Sequence, residues 1–268
     1  MKLFLSADIE GCAGVALNTE THKQEAIYKP FAQRMTEEVI AACEAAHEMG
    51  AEEIVVKDGH GDASNIDPLQ MPDYVTLIRG KSGHPFNMMW GIDESFDGVL
   101  YLGYHAPAGC PEFAISHTST GNSQYIRLNG RYMSEFTLNS FTAASCKVPV
   151  CFLSGDAAIC RMAKEEIPQI VTVETKRGEG NATICVPPNR VLAQIKSGVK
   201  SALTKTDKTI GGSLKIPETY VYEVTFKDWK RAYQMSFYPN MKQVDRFTIR
   251  LETKNWMEVV TAHSFVVY

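Results

Sequence analysis

The chain has 268 residues, 44% of them hydrophobic, enough to bury a large core in one sizeable domain or two modest ones. Its net charge of −4 gives no electrostatic reason to expect nucleic acid or an anionic membrane surface as a partner, and no apolar run approaches the ~20 residues that span a bilayer. Seven cysteines, odd in number and without a Cys-x-x-Cys pair, and an N-terminus that reaches Asp8 after a single lysine instead of forming a signal peptide lead us to expect a cytoplasmic protein with reduced thiols.

Leu3, Phe4 and Leu5 read as a short buried strand that ends in Asp8 and Glu10, with Gly11 and Gly14 beyond. Residues two apart on a strand share a face, so the two carboxylates project together while Ile9 points the other way. Pro30 suits the first turn of a helix in which Phe31, Met35, Val39, Ala42, Cys43 and Ala46 recur at helical spacing, with Gly50 as its stop. Strands are expected at 53–58, 74–78 and 97–104, then a helix over 134–146, a strand over 148–153, and helices over 157–166 and from Pro187 to about Leu203. This rhythm predicts an α/β fold, a mostly parallel sheet flanked by helices. Residues 204–216 read as a polar surface linker. Strands at 220–226 and 247–252 and helices at 229–235 and 256–265 then make a smaller α+β unit. The expected division is a metal-binding catalytic domain over 1–204 and the smaller unit over 205–268, with intertwining of the two as the alternative.

In open α/β sheets, ligands bind beyond the carboxyl ends of the strands. Asp8 and Glu10 end the first strand, and His60, in Asp58-Gly-His-Gly-Asp62, follows the second. His105 follows the strand Leu100-Tyr-Leu-Gly-Tyr104, and Glu135 opens the helix after an Asn129-Gly130 turn. Each has an ordinary reading when taken alone. Carboxylates cap solvated strand ends, histidines cap turns or sit satisfied in cores, and a helix dipole favours an acid in its first turn. Asp58 and Asp62 are read in that way, as turn and solvent residues. Convergence on one sheet edge favours a metal site, because adjacent buried carboxylates are costly unless cations neutralise them. Three carboxylates and two imidazoles suit zinc, with manganese or cobalt as alternatives. A catalytic zinc takes about three protein ligands, so five serve two ions if one carboxylate bridges, and Asp8 is the natural bridge. Ions paired about 3.5–4 Å apart are the arrangement of aminopeptidases and related hydrolases.

With these residues in place, the chain resembles the bacterial D-aminopeptidase family of dizinc metallopeptidases, of the type encoded in a dipeptide-transport operon. The family's Ser-x-Asp-x-Glu-Gly signature stands as Ser6-Ala-Asp-Ile-Glu-Gly11, its Asp-Gly-His as Asp58-Gly-His60, and its Gly-x-His-Ala as Gly103-Tyr-His-Ala106. His117-Thr118 and the Asn-Gly turn before Glu135 follow in order, and the resemblance continues through Gly155-Asp156 and Lys176-Arg-Gly178 before weakening. It implies that Asp8 bridges two zinc ions, with Glu10 and His60 completing one and His105 and Glu135 the other. His117 is implied as the catalytic residue outside the metal shell, moving a proton or stabilising the tetrahedral intermediate.

The implied activity is hydrolysis of short peptides bearing N-terminal D-residues, by water activated between the metals. The implied assembly is a stacked-ring homo-oligomer, a decamer, with its active sites facing an internal chamber. Two other readings fit the same residues: another dimetal amide or ester hydrolase, and a non-catalytic peptide- or amino-acid-binding protein on the same scaffold. A complete metal set beside His117 favours the enzyme. By its residues alone, His117 is equally a hydrogen-bonded loop histidine. A serine hydrolase built on Ser116, Thr118 or Ser119 lacks a Gly-x-Ser-x-Gly elbow, and a Cys110–His117 thiol hydrolase lacks an activating neighbour. Cys12 is read as a small structural hydrophobe, with pocket lining as the alternative. Trp229, Tyr233, Phe237, Tyr238 and Trp256 offer aromatic anchors for subunit contacts, core packing being their ordinary fate.

Overall fold

The computed structural model describes residues 1–204 and 211–268. Its main sheet contains β1 (Lys2–Ala7), β2 (Glu53–Asp58), β3 (Val75–Ile78), β4 (Gly98–Tyr104), β7 (Val150–Asp156), β8 (Val171–Glu179) and β9 (Ala182–Cys185), in the order β3-β2-β1-β4-β7-β8-β9. All neighbours are parallel except β8 and β9, which form an antiparallel pair at one edge. Helices α1 (Tyr28–Glu48) and α4 (Pro188–Leu203) cover one face, and α2 (Glu135–Ser145) and α3 (Ala157–Glu166) the other. Strand alternation divides the core accordingly. Leu3, Leu5, Leu100 and Leu102 pack under α1 and α4, while Phe4, Val99 and Tyr101 face the opposite cluster with Phe136 and Ile159.

A second, five-stranded antiparallel sheet has the order β11-β12-β10-β5-β6, from β5 (Ser123–Leu128), β6 (Arg131–Tyr132), β10 (Tyr220–Phe226), β11 (Lys242–Gln243) and β12 (Thr248–Thr253). Helices α5 (Trp229–Met235) and α6 (Trp256–Val266) pack on it through Ala232, Trp256, Val259 and Val260. The expected Asn129-Gly130 turn joins β5 to β6, both residues having positive φ as a two-residue hairpin of this kind needs. That hairpin lies within the first 204 residues but pairs with β10, so the second sheet draws on both parts of the chain.

The hairpin strands, and the pair β8–β9, were not expected. Polar residues on both faces of these strands (Gln124 and Arg127, Glu174 and Arg177) interrupt the apolar pattern that marks a buried strand. The segment read as a surface linker is only partly described, residues 205–210 lying outside the described residues. Gly212 exchanges both backbone hydrogen bonds with Val150, so that end of the segment extends the sheet.

Strand order reverses around β1, which has β2 on one side and β4 on the other. This is the switch point where loops diverge and leave a crevice. Two glycines allow the loops there to close on each other. The Gly11 amide donates to the Gly103 carbonyl at 2.8 Å, and a Cβ on Gly11 would lie 1.9 Å from the Tyr104 oxygen. Gly103 has φ +67°, and a Cβ there would lie 2.3 Å from the Asp8 oxygen. The close approach brings the residues after β1 and those after β4 to one place.

Candidate metal centre

All six residues singled out in the sequence meet in the crevice beyond β1, β2 and β4. Strand β1 ends at Ala7, so Asp8 leaves the strand and Glu10 sits in a tight turn. Their carboxylates converge because of that turn, rather than through continued strand alternation. Glu135 is the first residue of α2, whose N-cap Ser134 accepts from the Thr137 amide.

The distances define a compact cluster. His60 Nδ1 lies 2.9 Å from Glu10 Oε2 and 3.3 Å from Asp8 Oδ1. His105 Nε2 lies 3.4 Å from Glu135 Oε1 and 3.7 Å from Asp8 Oδ2. His117 Nε2 lies 3.7 Å from Glu10 Oε1 and 4.0 Å from Glu135 Oε1, its ring stacked on that of His105 at 4.4 Å. Ligand atoms of Asp8, Glu10 and His60 fall within 4.8 Å of one another, as do those of Asp8, His105 and Glu135, so Asp8 is common to two groups. A third such group joins Glu10, His105 and His117.

Each imidazole is oriented by a backbone carbonyl. His60 Nε2 lies 2.9 Å from the Thr21 oxygen, His105 Nδ1 2.9 Å from that of Ala106, and His117 Nδ1 2.9 Å from that of Ile115. A carbonyl can only accept, so those nitrogens carry protons and, in the neutral ring, the opposite nitrogen presents a lone pair. That lone pair faces carboxylate oxygens, which repel it unless a positive charge lies between. Glu10 Oε2 and His105 Nε2 are buried and have no well-directed hydrogen bond among the described residues.

The same demand for positive charge shows in the acidities. Burial and the neighbouring Glu10 push Asp8 up to about 8. Burial would pull His105 down, but the close Glu135 carboxylate, with Glu10 and Asp8 behind it, holds it up at about 10. Burial likewise opposes Glu135, yet His105 outweighs it and brings that carboxyl down to about 2. With protein groups alone the cluster takes up protons. Cations would satisfy the same field, and the mixed oxygen and nitrogen donors suit zinc or a neighbouring divalent ion.

Anchors behind these residues escaped the sequence reading. Asp58, read there as a turn residue, is fully buried. It accepts from the Asn65 and Ile66 amides and from Asn65 Nδ2, which also donates to the His60 carbonyl and so sets the His60 loop. Asp156 caps α3 through the Ile159 amide and accepts from the Ala106 amide at 2.6 Å, fixing the segment that bears His105. Lys176, on β8, buries its ammonium against the carbonyls of Glu10, Cys12 and Val15. For Asp58, its place as the acid of the Asp58-Gly59-His60 segment is the one local signal that could have pointed to it; the others act across long separations. Cys12 is buried, and its thiol donates to the Asp8 carbonyl, so it packs under the loop as expected of a small hydrophobe.

The cluster forms one wall of a cavity of about 510 Å³, which buried Asp8, Glu10 and Glu135 line together with exposed Lys81 and Lys227. A carboxylate and imidazole cluster in a cavity of this size, at the switch point of a parallel sheet, has the donors and the space that metal-assisted hydrolysis needs. The chain belongs to the D-aminopeptidase family of peptidases, whose model matches residues 1–265. The D-aminopeptidase of Bacillus subtilis (strain 168) is 28% identical over 264 residues, covering 98% of this chain and 95% of that protein. A solved structure, described as the Zn-dependent D-aminopeptidase DppA from Bacillus subtilis, a self-compartmentalizing protease, superposes with a TM-score of 0.92 at 28% identity. The match covers 100% of this chain and 97% of that one. The α/β fold expected from the sequence, and the peptidase class, are thereby established.

Proposed function

We propose that this protein is a zinc aminopeptidase that releases N-terminal D-residues from short peptides, using two ions per chain. Asp8, Glu10 and His60 would hold one ion and Asp8, His105 and Glu135 the other, with manganese or cobalt able to replace zinc. The observation that carries this reading is the set of buried donors, Glu10 Oε2 and His105 Nε2 among them, that face one another without a hydrogen bond between them. Bound there, the ions would polarise the scissile carbonyl and lower the pKa of water to near neutrality. His117 is less buried than the ligands and turns Nε2 toward Glu10 and Glu135 while Nδ1 is fixed on Ile115. It can take up a proton as water attacks and return it to the departing amine. The cavity volume suits a short peptide.

Metal analysis tests this directly. About two ions per chain are expected. Exhaustive chelation should abolish cleavage of D-dipeptides, and added zinc should restore it. Full activity in metal-free protein, or a preference for L-dipeptides, would overturn the reading.

The assembly we propose is a ring-built homo-oligomer, a stacked-ring decamer in the fullest form, working in the cytoplasm. Tyr233 and Phe237 support it: they are 57% and 72% exposed and meet edge to face at 5.3 Å, an apolar surface of the kind that interfaces cover. Trp256, by contrast, is buried in the core of the second sheet. Among the described residues no helix is long and apolar enough to cross a membrane. Light scattering should show a species many times the 29.8 kDa chain mass, and glutamates in place of Tyr233 and Phe237 should reduce it. A monomeric parent protein would remove the compartment from this reading.

A further inference from the structure

Ser119 is a non-glycine residue with φ +64°, and the Thr120 amide donates back to the Thr118 carbonyl across it at 2.7 Å. A tight three-residue turn in this region is strained and persists only where its surroundings impose it. The turn aims the Ser119 amide at Glu135 Oε1, 2.8 Å away. That is the same oxygen that lies 3.4 Å from His105 Nε2.

What imposes the turn is on the far side of the residue. Ser119 Oγ lies 2.8 Å from Nε2 of His263, on α6, and His263 Nδ1 lies 2.9 Å from the Tyr222 hydroxyl, on β10. His263 is only 2% exposed, and burial pulls its pKa down to about 4, so the ring is neutral, with one nitrogen donating and the other accepting. A phenylalanine would fill such a core position without needing polar partners. A histidine there is matched to two partners, and one of them lines the cavity.

We propose that His263, held by Tyr222, is a positioning residue. Through Ser119 it fixes the carboxylate of Glu135 and so sets how tightly the Asp8–His105–Glu135 half of the centre retains its ion. The inference rests on the reading of those three residues as one ion's ligands. It gives the antiparallel unit a part in the chemistry: Tyr222 and His263 belong to the second sheet and its helix, and their hydrogen bonds reach Glu135 by way of Ser119. Partners behind a ligand that set its orientation typically change metal affinity by about 10–100-fold when removed.

The test is zinc release from the holoenzyme to a chromogenic chelator, followed alongside zinc stoichiometry. His263→Phe keeps the ring and removes both hydrogen bonds. Ser119→Ala removes only the hydroxyl and answers the question if the first variant fails to fold. Both should release one of the two ions about 10–100-fold more readily while the other stays as in the parent. His263→Gln, which can still reach Ser119, should restore retention toward that of the parent. If both disrupting variants hold both ions as the parent does, the link is overturned and the metal reading stands. Equal loosening of both ions also overturns it, since the assignment is to one half. A parent that binds no zinc overturns the metal reading and the link with it.

Discussion

Asp8→Ala protein is expected to purify with little bound metal and no measurable peptidase activity. Asp8 is the one carboxylate common to the two groups that would hold the ions, with oxygens directed at both His60 and His105. Its removal leaves each group a ligand short, and a zinc site with two protein ligands is below the about three that catalytic sites keep. His117→Ala should behave differently, keeping about two ions per chain and losing turnover by on the order of 10²-fold or more, as for loss of a proton-transfer group. The contrast is informative because His117 also falls within ligand distance of Glu10 and His105. Release of metal from His117→Ala would make it a ligand, and an unchanged rate would remove it from the chemistry. The assay is turnover of a D-dipeptide beside metal content on the same preparations.

Lys176→Met is expected to destabilise the fold on the order of 3 kcal/mol, a large effect for one side chain. Its ammonium is almost completely buried and donates to three carbonyls of the loop that follows β1, at 2.8 Å for Cys12 and 2.7 Å for Val15. Methionine matches the length but leaves the Glu10 and Val15 carbonyls without their donor, the Cys12 carbonyl keeping the Val15 amide at 3.3 Å; each lost acceptor costs about 1–3 kcal/mol, partly offset because no charge is buried any longer. Thr175 donates to the Gly11 carbonyl and Glu38 accepts from the Ala13 amide, so the loop keeps some anchors and the protein should still fold. Urea unfolding of chelated and zinc-loaded protein reads the effect. The zinc-loaded form should lose more, because Glu10 is carried by the loop that moves. A change below about 0.5 kcal/mol in both forms would show that the loop does not depend on this cation.

The candidate site was largely legible in the sequence because its members are local to strand ends. Asp8 and Glu10 follow an apolar run, His60 and His105 each follow another, and ligands gather beyond the carboxyl ends of such strands; Glu135 showed only as an acid at a helix start, and His117, in a loop, only through the family resemblance. What escaped is non-local. Lys176 acts on residues 161 to 166 positions away, and His263 on one 144 positions away. Lys176 showed only as part of a Lys-Arg-Gly segment shared with the family, and His263 only as a polar residue in a helix; neither context points to its partners. Asp58 was misread for a related reason: an acid beside glycine has the composition of an exposed turn, and its burial follows from amides supplied by Asn65 and Ile66. The β5–β6 hairpin escaped because its strands are short and partly polar, so only the Asn129-Gly130 turn between them showed.

The imidazoles of His60, His105 and His117 are steered by main-chain oxygens of Thr21, Ala106 and Ile115. In many metal centres a carboxylate side chain does this, and a single codon change can delete it. A peptide oxygen is present whatever residue occupies the position. Genetic drift at 21, 106 and 115 therefore reaches the centre only by displacing the chain. Over evolutionary time the ring orientations are inherited with the loop path, and the identities of the residues that orient them are left comparatively free.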